Sequence, residues 1–202
     1  MVIERGRPWG AQVICPTDLR VATDDAELAR LIGSTNAPDL AIAGGDLHRT
    51  LGGPGLPTAG EPCRRLPVDL LRCEIDGVVH LAVAHVVLRR PGRLGWWRGP
   101  ILGVCNAQFH GRWDVAPRGH PNDGRADLVE VAAGMTVGQR RLARRRLPTG
   151  THVPHPDITT RRIVDLEREL GSGLVAYLDH RRIGSVRQFR VEVVADGFTL
   201  HV

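Results

Sequence analysis

VDLLRCEIDGVVHLAVAHVVL, residues 68–88, sets two runs of aliphatic residues around the pair Asp76-Gly77. Asp-Gly between such runs suits a type I′ turn, whose two central residues both need positive φ, so the stretch reads as a hairpin of strands 68–75 and 78–88. Asp196-Gly197 reads as the same device, joining FRVEVVA (189–195) to FTLHV (198–202). Further strands are expected at 101–107, 126–132, 160–169 and 173–179, each short and rich in Val, Ile or Leu. One helix is expected over 136–147. Many short strands separated by turn signals favour an antiparallel sandwich over alternating βα units.

Upstream the pattern changes. AQVIC (11–15) reads as a strand, Asp24-Asp25 opens a helix through AELARLI that Gly33 is placed to stop, and DLAIA (39–43) reads as a second strand. Residues 1–53 are expected to form a small α/β unit. The Gly- and Pro-rich stretch GGPGLPTAGEPCRRLP (52–67) can continue neither a helix nor a central strand, and separates that unit from a β-sandwich over 66–202. The expected class is α+β: mainly an antiparallel β-sandwich with a small N-terminal α/β unit.

A chain of 202 residues is long enough to bury a real core. Its longest strongly apolar run, LAVAHVVL (81–88), falls far short of the roughly 20 residues that span a bilayer. The opening MVIERGRPWG carries charge where a signal peptide is apolar, which points to a cytoplasmic protein. Cys15, Cys63, Cys73 and Cys105 lie far apart with no C-x-x-C pair, and are expected to be reduced thiols.

All 27 Lys+Arg residues are arginine; against 22 acidic residues they leave a net charge of +5, which favours anionic partners. The segment TVGQRRLARRRL (136–147) gathers Val137, Leu142, Ala143 and Leu147 near one side and Arg140, Arg141, Arg144, Arg145 and Arg146 over the rest. Such a helix can lie on an anionic membrane surface, each arginine adding roughly 1 kcal/mol, or can be the solvated face of a helix packed on a sheet. The first reading places the protein at the inner membrane surface. Nucleic acid is disfavoured, because no helix-turn-helix, RNP-like strand or zinc finger is present. Of nine histidines, His152 and His155 stand close in the chain, but the intervening Val153-Pro154 is incompatible with a helical zinc pair.

AIAGGDLHRTLGG (41–53) carries the first candidate site. Glycines at a strand end let backbone N–H groups approach an anion, so Gly44 and Gly45 read as a phosphate cradle, with His48 and Arg49 in the short helix behind them. Asp46 is placed to cap that helix. The same residues also suit an ordinary strand-to-helix turn.

The segment NAQFHGRWDVAPRGHPNDGRADLVEV (106–131) contains N-A-x-F-x-G, then V-A-P, then D-G-x-x-D-L-V, and TGTHVPHPDI (149–158) follows. In this order the motifs resemble the C-terminal domain of the diacylglycerol kinase and YegS-like lipid kinase family, over roughly 40–202. The resemblance implies that family's β-sandwich, an ATP-dependent transfer to a lipid hydroxyl, ligand contact by Asn106, and a magnesium ion at the turn 122–124 with Asp123 as ligand. It also implies that Asp46 contacts magnesium-bound phosphate or a lipid hydroxyl.

Two departures qualify what is carried over. The family's G-G-D-G-T and later G-T-x-N-D-x-A-R motifs are replaced by one run, AIAGGDLHRTLGG, which looks like the start of the first fused to the end of the second. The family's late D-G-E, whose carboxylates accept the lipid proton, reads Asp179-His180-Arg181, and an arginine accepts no proton. Asp179 alone, or His180 in its place, is the remaining base. The chain therefore reads as a catalytically incomplete relative acting as a lipid- or anion-binding module, with a protein partner supplying the nucleotide half or a second copy docking through edge strands. The alternative is a minimal ATP-dependent lipid kinase.

Overall fold

The structure, a computed structural model, describes residues 8–34 and 39–202. The reading of the first residues as untargeted falls on positions 1–7, outside the described part. Near the start stand β1 (Ala11–Ile14), β2 (Arg20–Ala22), α1 (Asp25–Gly33), β3 (Leu40–Ile42) and α2 (Gly45–Thr50). Then come β4 (Pro62–Ile75), β5 (Val78–Ala82), β6 (His85–Arg89), β7 (Ile101–Cys105), the short pair β8 (Phe109–His110) and β9 (Trp113–Asp114), and β10 (Ala126–Val131). The chain ends with α3 (Val137–Arg146), β11 (Ile158–Ile163), β12 (Asp165–Glu169), β13 (Val175–Leu178), β14 (Arg181–Ser185) and β15 (Gln188–His201). One sheet runs β1-β4-β15-β12, with β5 also on β4; the other runs β11-β10-β7-β6-β13-β14. Every pairing in both is antiparallel, and among the described residues only β2 and β3 pair in parallel. The fold is α+β and dominated by antiparallel sheets.

Between the sheets, Leu71 and Cys73 of β4 and Val191 and Val193 of β15 belong to one buried cluster with Val86 and Leu88 of β6, Val104 of β7 and Leu178 of β13. A second cluster joins Leu28, Leu40, Ile42 and Leu47 of the N-terminal elements to Leu66, Val68, Phe198 and Leu200 of the long strands. Each fully buried aliphatic side chain of this kind contributes about 1.5–3 kcal/mol.

Local signals fixed several elements as read. Asp76 and Gly77 both have positive φ and close the β4–β5 hairpin, with Ile75 opposite Val78. Asp24 caps α1 by accepting from the Glu27 N–H, and Thr136 and Gln139 form a capping box at α3.

Other expectations are corrected. The run 78–88 is two strands, because the chain leaves one sheet at Val83-Ala84 and enters the other at His85. The cause is a single carboxylate: Asp179 accepts from the N–H groups of Val83, Ala84 and His85, each at 2.9 Å, in place of ladder partners. The run 160–169 likewise crosses between sheets at Val164, which is exposed. Asp196-Gly197 is a bulge inside β15, not a hairpin turn; the register opposite β4 slips between Val194 and Phe198 while Asp69, fully buried, accepts the Asp196 N–H at 3.0 Å. Pro62–Pro67 belongs to β4, whose first residues pair with β1, so only the first part of the Gly/Pro stretch is a linker.

Asp179→Ala is expected to destabilise the fold by more than about 3 kcal/mol, since it orphans buried N–H groups at roughly 1–3 kcal/mol each. Asp179→Asn, which keeps one acceptor oxygen, is expected to lose less. Urea unfolding of the two variants measures the difference; equal midpoints for Asp179→Ala and wild type would contradict the assigned role.

Candidate functional site

The site begins at the N-terminus of α2. Gly44 is extended and Gly45 takes φ of 100°, and a Cβ on Gly45 would fall 2.6 Å from the Asp25 carboxylate. Asp25, from the first turn of α1, accepts from the N–H of Asp46 at 2.5 Å and of Leu47 at 3.1 Å. A helix N-terminus attracts an anion, and here the chain supplies its own. Burial, then the nearby Asp179 charge, pushes the Asp25 pKa up to about 7. Asp46 is therefore not the cap expected of it. It lies inside the first helical turn and points away.

The Asp46 carboxylate gathers groups from distant elements. Its Oδ1 accepts from the Gly111 N–H at 2.6 Å, and its Oδ2 from His180 Nε2 at 2.6 Å. His85 Nε2 and His110 Nδ1 each lie 3.6 Å from the same Oδ2. His110 stacks on His180 with ring centroids 4.4 Å apart, and meets His85 edge-on at 5.1 Å. Burial works against the Asp46 charge, but the His180 hydrogen bond and the His85 and His180 charges outweigh it and hold the carboxyl below its ordinary range. The bond to Asp46 raises the His180 pKa against the effect of burial. His110, desolvated and facing two other imidazoles, is pushed down to about 3, and burial lowers His85.

His180 reaches Asp46 because Asp179 and His180 form the tight turn between β13 and β14, with φ of 46° and 65°. A histidine at positive φ is strained. The turn is held from both sides, by Asp179 on the strand break and by His180 on Asp46. Burial lifts the Asp179 pKa to about 6 against the opposing N–H bonds.

Beside this cluster lies an apolar chamber of about 130 Å³, whose walls include Trp96, Trp97, Trp113, Ile101, Val129 and Met135. It adjoins a vestibule of about 340 Å³ lined by Arg89, Arg112, Tyr177 and His180, and His85 and His110 border both spaces. His152, buried, also lines the chamber, and neither of its ring nitrogens has a partner.

The sequence-derived candidates divide. Gly44, Gly45, Asp46, Asp179 and His180 converge, although the Asp179 oxygens face Val83, Ala84 and His85. His48 Nε2 is 3.0 Å from the Pro54 carbonyl, and Arg49 donates to the Gly111 carbonyl and lies over the Phe109 ring. Asn106 is buried and donates to the carbonyls of Asp69 and Val83, pinning the strand break from the opposite side. Asp123 accepts the Arg125 N–H and pairs with Arg162 at 3.0 Å, so a guanidinium stands where a cation would. Magnesium bound by Asp123, with waters completing its shell, would displace Arg162.

On α3, Arg140 is buried and donates to the carbonyls of Met135, Ala132, Trp96 and Gly99. Arg144 lies over Trp97 and Trp113 at the chamber wall. Arg141, Arg145 and Arg146 are exposed beside exposed Leu142. No helix among the described residues is long and apolar enough to cross a membrane. Asp25, His85 and His110 were not anticipated; the one local hint was His85 itself, a polar residue in the middle of an apolar run.

No family model and no curated protein matches the chain. Solved structures do. A diacylglycerol kinase from Bacillus anthracis str. Sterne superposes with a TM-score of 0.57 at 16% identity, over 91% of this chain and 75% of that one. Two chains from the same strain assigned to that kinase class give TM-scores of 0.65 and 0.63 at 14% and 15% identity, over 91% of this chain and 77% of each. The chain has the diacylglycerol kinase fold. Within that fold, the Asp25 carboxylate holds the α2 N–H groups that the sequence offered to phosphate.

The His180 imidazole is expected to titrate above 6.5 and His85 and His110 below it, and Asp46→Asn should lower the His180 value. Imidazole NMR during a pH titration measures all three. The pair contributes stability fully present below 6.5 and lost as pH rises through the raised His180 pKa; at the acid end it is lost as pH falls through the depressed Asp46 pKa.

Proposed function

We propose that this chain is a catalytically incomplete member of the lipid-kinase fold that binds a single-chain amphiphile. The observation that carries the reading is the continuity of an apolar chamber with a cationic vestibule: Trp97 and aliphatic side chains on one side, Arg89, Arg112 and His180 on the other, with Trp96 and Trp113 bordering both. An acyl chain in the chamber leaves its polar head among the vestibule groups. Transfer of apolar surface drives entry and the cations select an anionic or hydroxylated head. Exposed Arg141, Arg145 and Arg146 beside Leu142 offer the face through which the protein would meet an anionic membrane and collect its ligand.

Two features support incompleteness. Phosphoryl transfer relies on positioned donors and cations around the phosphates, and the α2 N–H groups are already paired with Asp25. Asp179, the residue matching the first position of D-G-E, has its carboxylate committed to three backbone N–H groups.

A titration of tryptophan fluorescence with a monoacylglycerol phosphate is expected to saturate, whereas glycerol phosphate alone should produce no change. Gly103 lines the chamber, and a Cβ there would meet Cys105 Sγ and the Val129 carbonyl at 3.8 Å, an ordinary contact, so Gly103→Leu is expected to fill the chamber and weaken binding at least tenfold without a backbone clash. Equal affinity in Gly103→Leu would overturn the chamber assignment. Transfer of labelled γ-phosphate from ATP to a monoacylglycerol would overturn incompleteness and establish the kinase alternative.

A further inference from the structure

Asp46, His85 and His110 bring three potential metal-binding atoms together. Asp46 Oδ2, His85 Nε2 and His110 Nδ1 all lie within 4.8 Å of one another. The His85 and His110 rings meet edge-on, inclined at 83°. The Gly111 N–H fixes Asp46 Oδ1 and turns Oδ2 toward the imidazoles. His110 Nδ1 is buried, makes no hydrogen bond, and faces the carboxylate at 3.6 Å. Two acceptors held at that separation, just beyond hydrogen-bond reach, define a place for a cation.

We infer that Asp46, His85 and His110 form a binding site for one divalent transition-metal ion of the zinc class. Bonds of about 2.0–2.1 Å to nitrogen and about 2.0–2.2 Å to carboxylate oxygen place tetrahedral donors a little over 3 Å apart, close to the observed 3.6 Å separations. Two imidazoles and one carboxylate select zinc, cobalt or nickel over magnesium, whose preference is for oxygen.

Binding exchanges existing contacts. The His180 N–H now fills one lone pair of Asp46 Oδ2, and His180, half-exposed in the vestibule wall, has room to swing aside. His85 Nε2 now donates to the Phe109 carbonyl at 2.5 Å, so coordination requires the ring to turn off that carbonyl and to carry its proton on Nδ1, which is buried without a partner. Affinity is accordingly weaker than at a structural zinc site. The cluster borders the vestibule through His85 and His110. The site does not depend on the lipid reading, because the ion binds with the chamber empty.

Cobalt(II) titration of the full chain, first dialysed against a chelator, tests this. One equivalent is expected to bind with visible absorption of a tetrahedral or five-coordinate centre, to be displaced by zinc, and to be unaffected by millimolar magnesium. His110→Gln and Asp46→Asn should each weaken binding at least tenfold, His155→Gln should leave it unchanged, and His180→Ala should leave or tighten it. On unmodified protein, zinc should perturb the His85 and His110 imidazole resonances first, which serves if a variant does not fold. Absence of saturable binding, binding that survives His110→Gln, or first perturbation at other histidines would overturn the site while leaving the lipid reading untouched.

Discussion

A buried carboxylate that accepts three consecutive backbone N–H groups holds this molecule together at its crossing point. Asp179 takes Val83, Ala84 and His85 out of the β-ladder, so one apolar run serves two sheets: β5 on the outer edge of β4, and β6 between β7 and β13. Asn106 secures the same break through the Val83 carbonyl. The cost of burying the charge appears in the raised Asp179 pKa, and the return is positional. His85 begins its strand facing the cluster, and His180, the residue after Asp179, is carried to Asp46.

The same logic of internal satisfaction runs through the N-terminal elements. Asp25 occupies the N-terminus of α2, Arg162 faces Asp123, and Arg140 gathers carbonyls beneath the chamber. Several groups that in isolation invite phosphate, a metal or an anionic surface are thus engaged with the chain itself. What stays available among the described residues lies in the chamber, the vestibule and the outer face of α3: the tryptophan walls, Arg112, the unpartnered nitrogens of His110 and His152, and exposed Arg141, Arg145 and Arg146.

Much of the fold was legible in the sequence because its determinants are local. The Asp76-Gly77 turn, the Asp24 cap and the capping box at Thr136 act within a few residues, and strand chemistry is written in β-branched and aliphatic runs. Periodicity does not say to which sheet a strand belongs, so the crossings at Val83-Ala84 and Val164 were invisible. Asp196-Gly197 misled because positive φ at the aspartate suits a bulge as well as a turn; Asp69 on the partner strand decides between them. The site was half legible. Asp46 and His180 stood out through motif resemblance, whereas His85 and His110 join them only through folding, from β6 and β8, with no spacing that a sequence could display.

A crystal structure of the full chain grown with a monoacylglycerol phosphate tests the account most directly. It predicts the acyl chain between Trp96, Trp97 and Trp113, the phosphate in the vestibule near Arg89, Arg112 and His180, and Asp25 still seated on the α2 N-terminus. A phosphate on the N–H groups of Asp46 and Leu47 with Asp25 displaced, or an acyl chain bound outside the chamber, would contradict it.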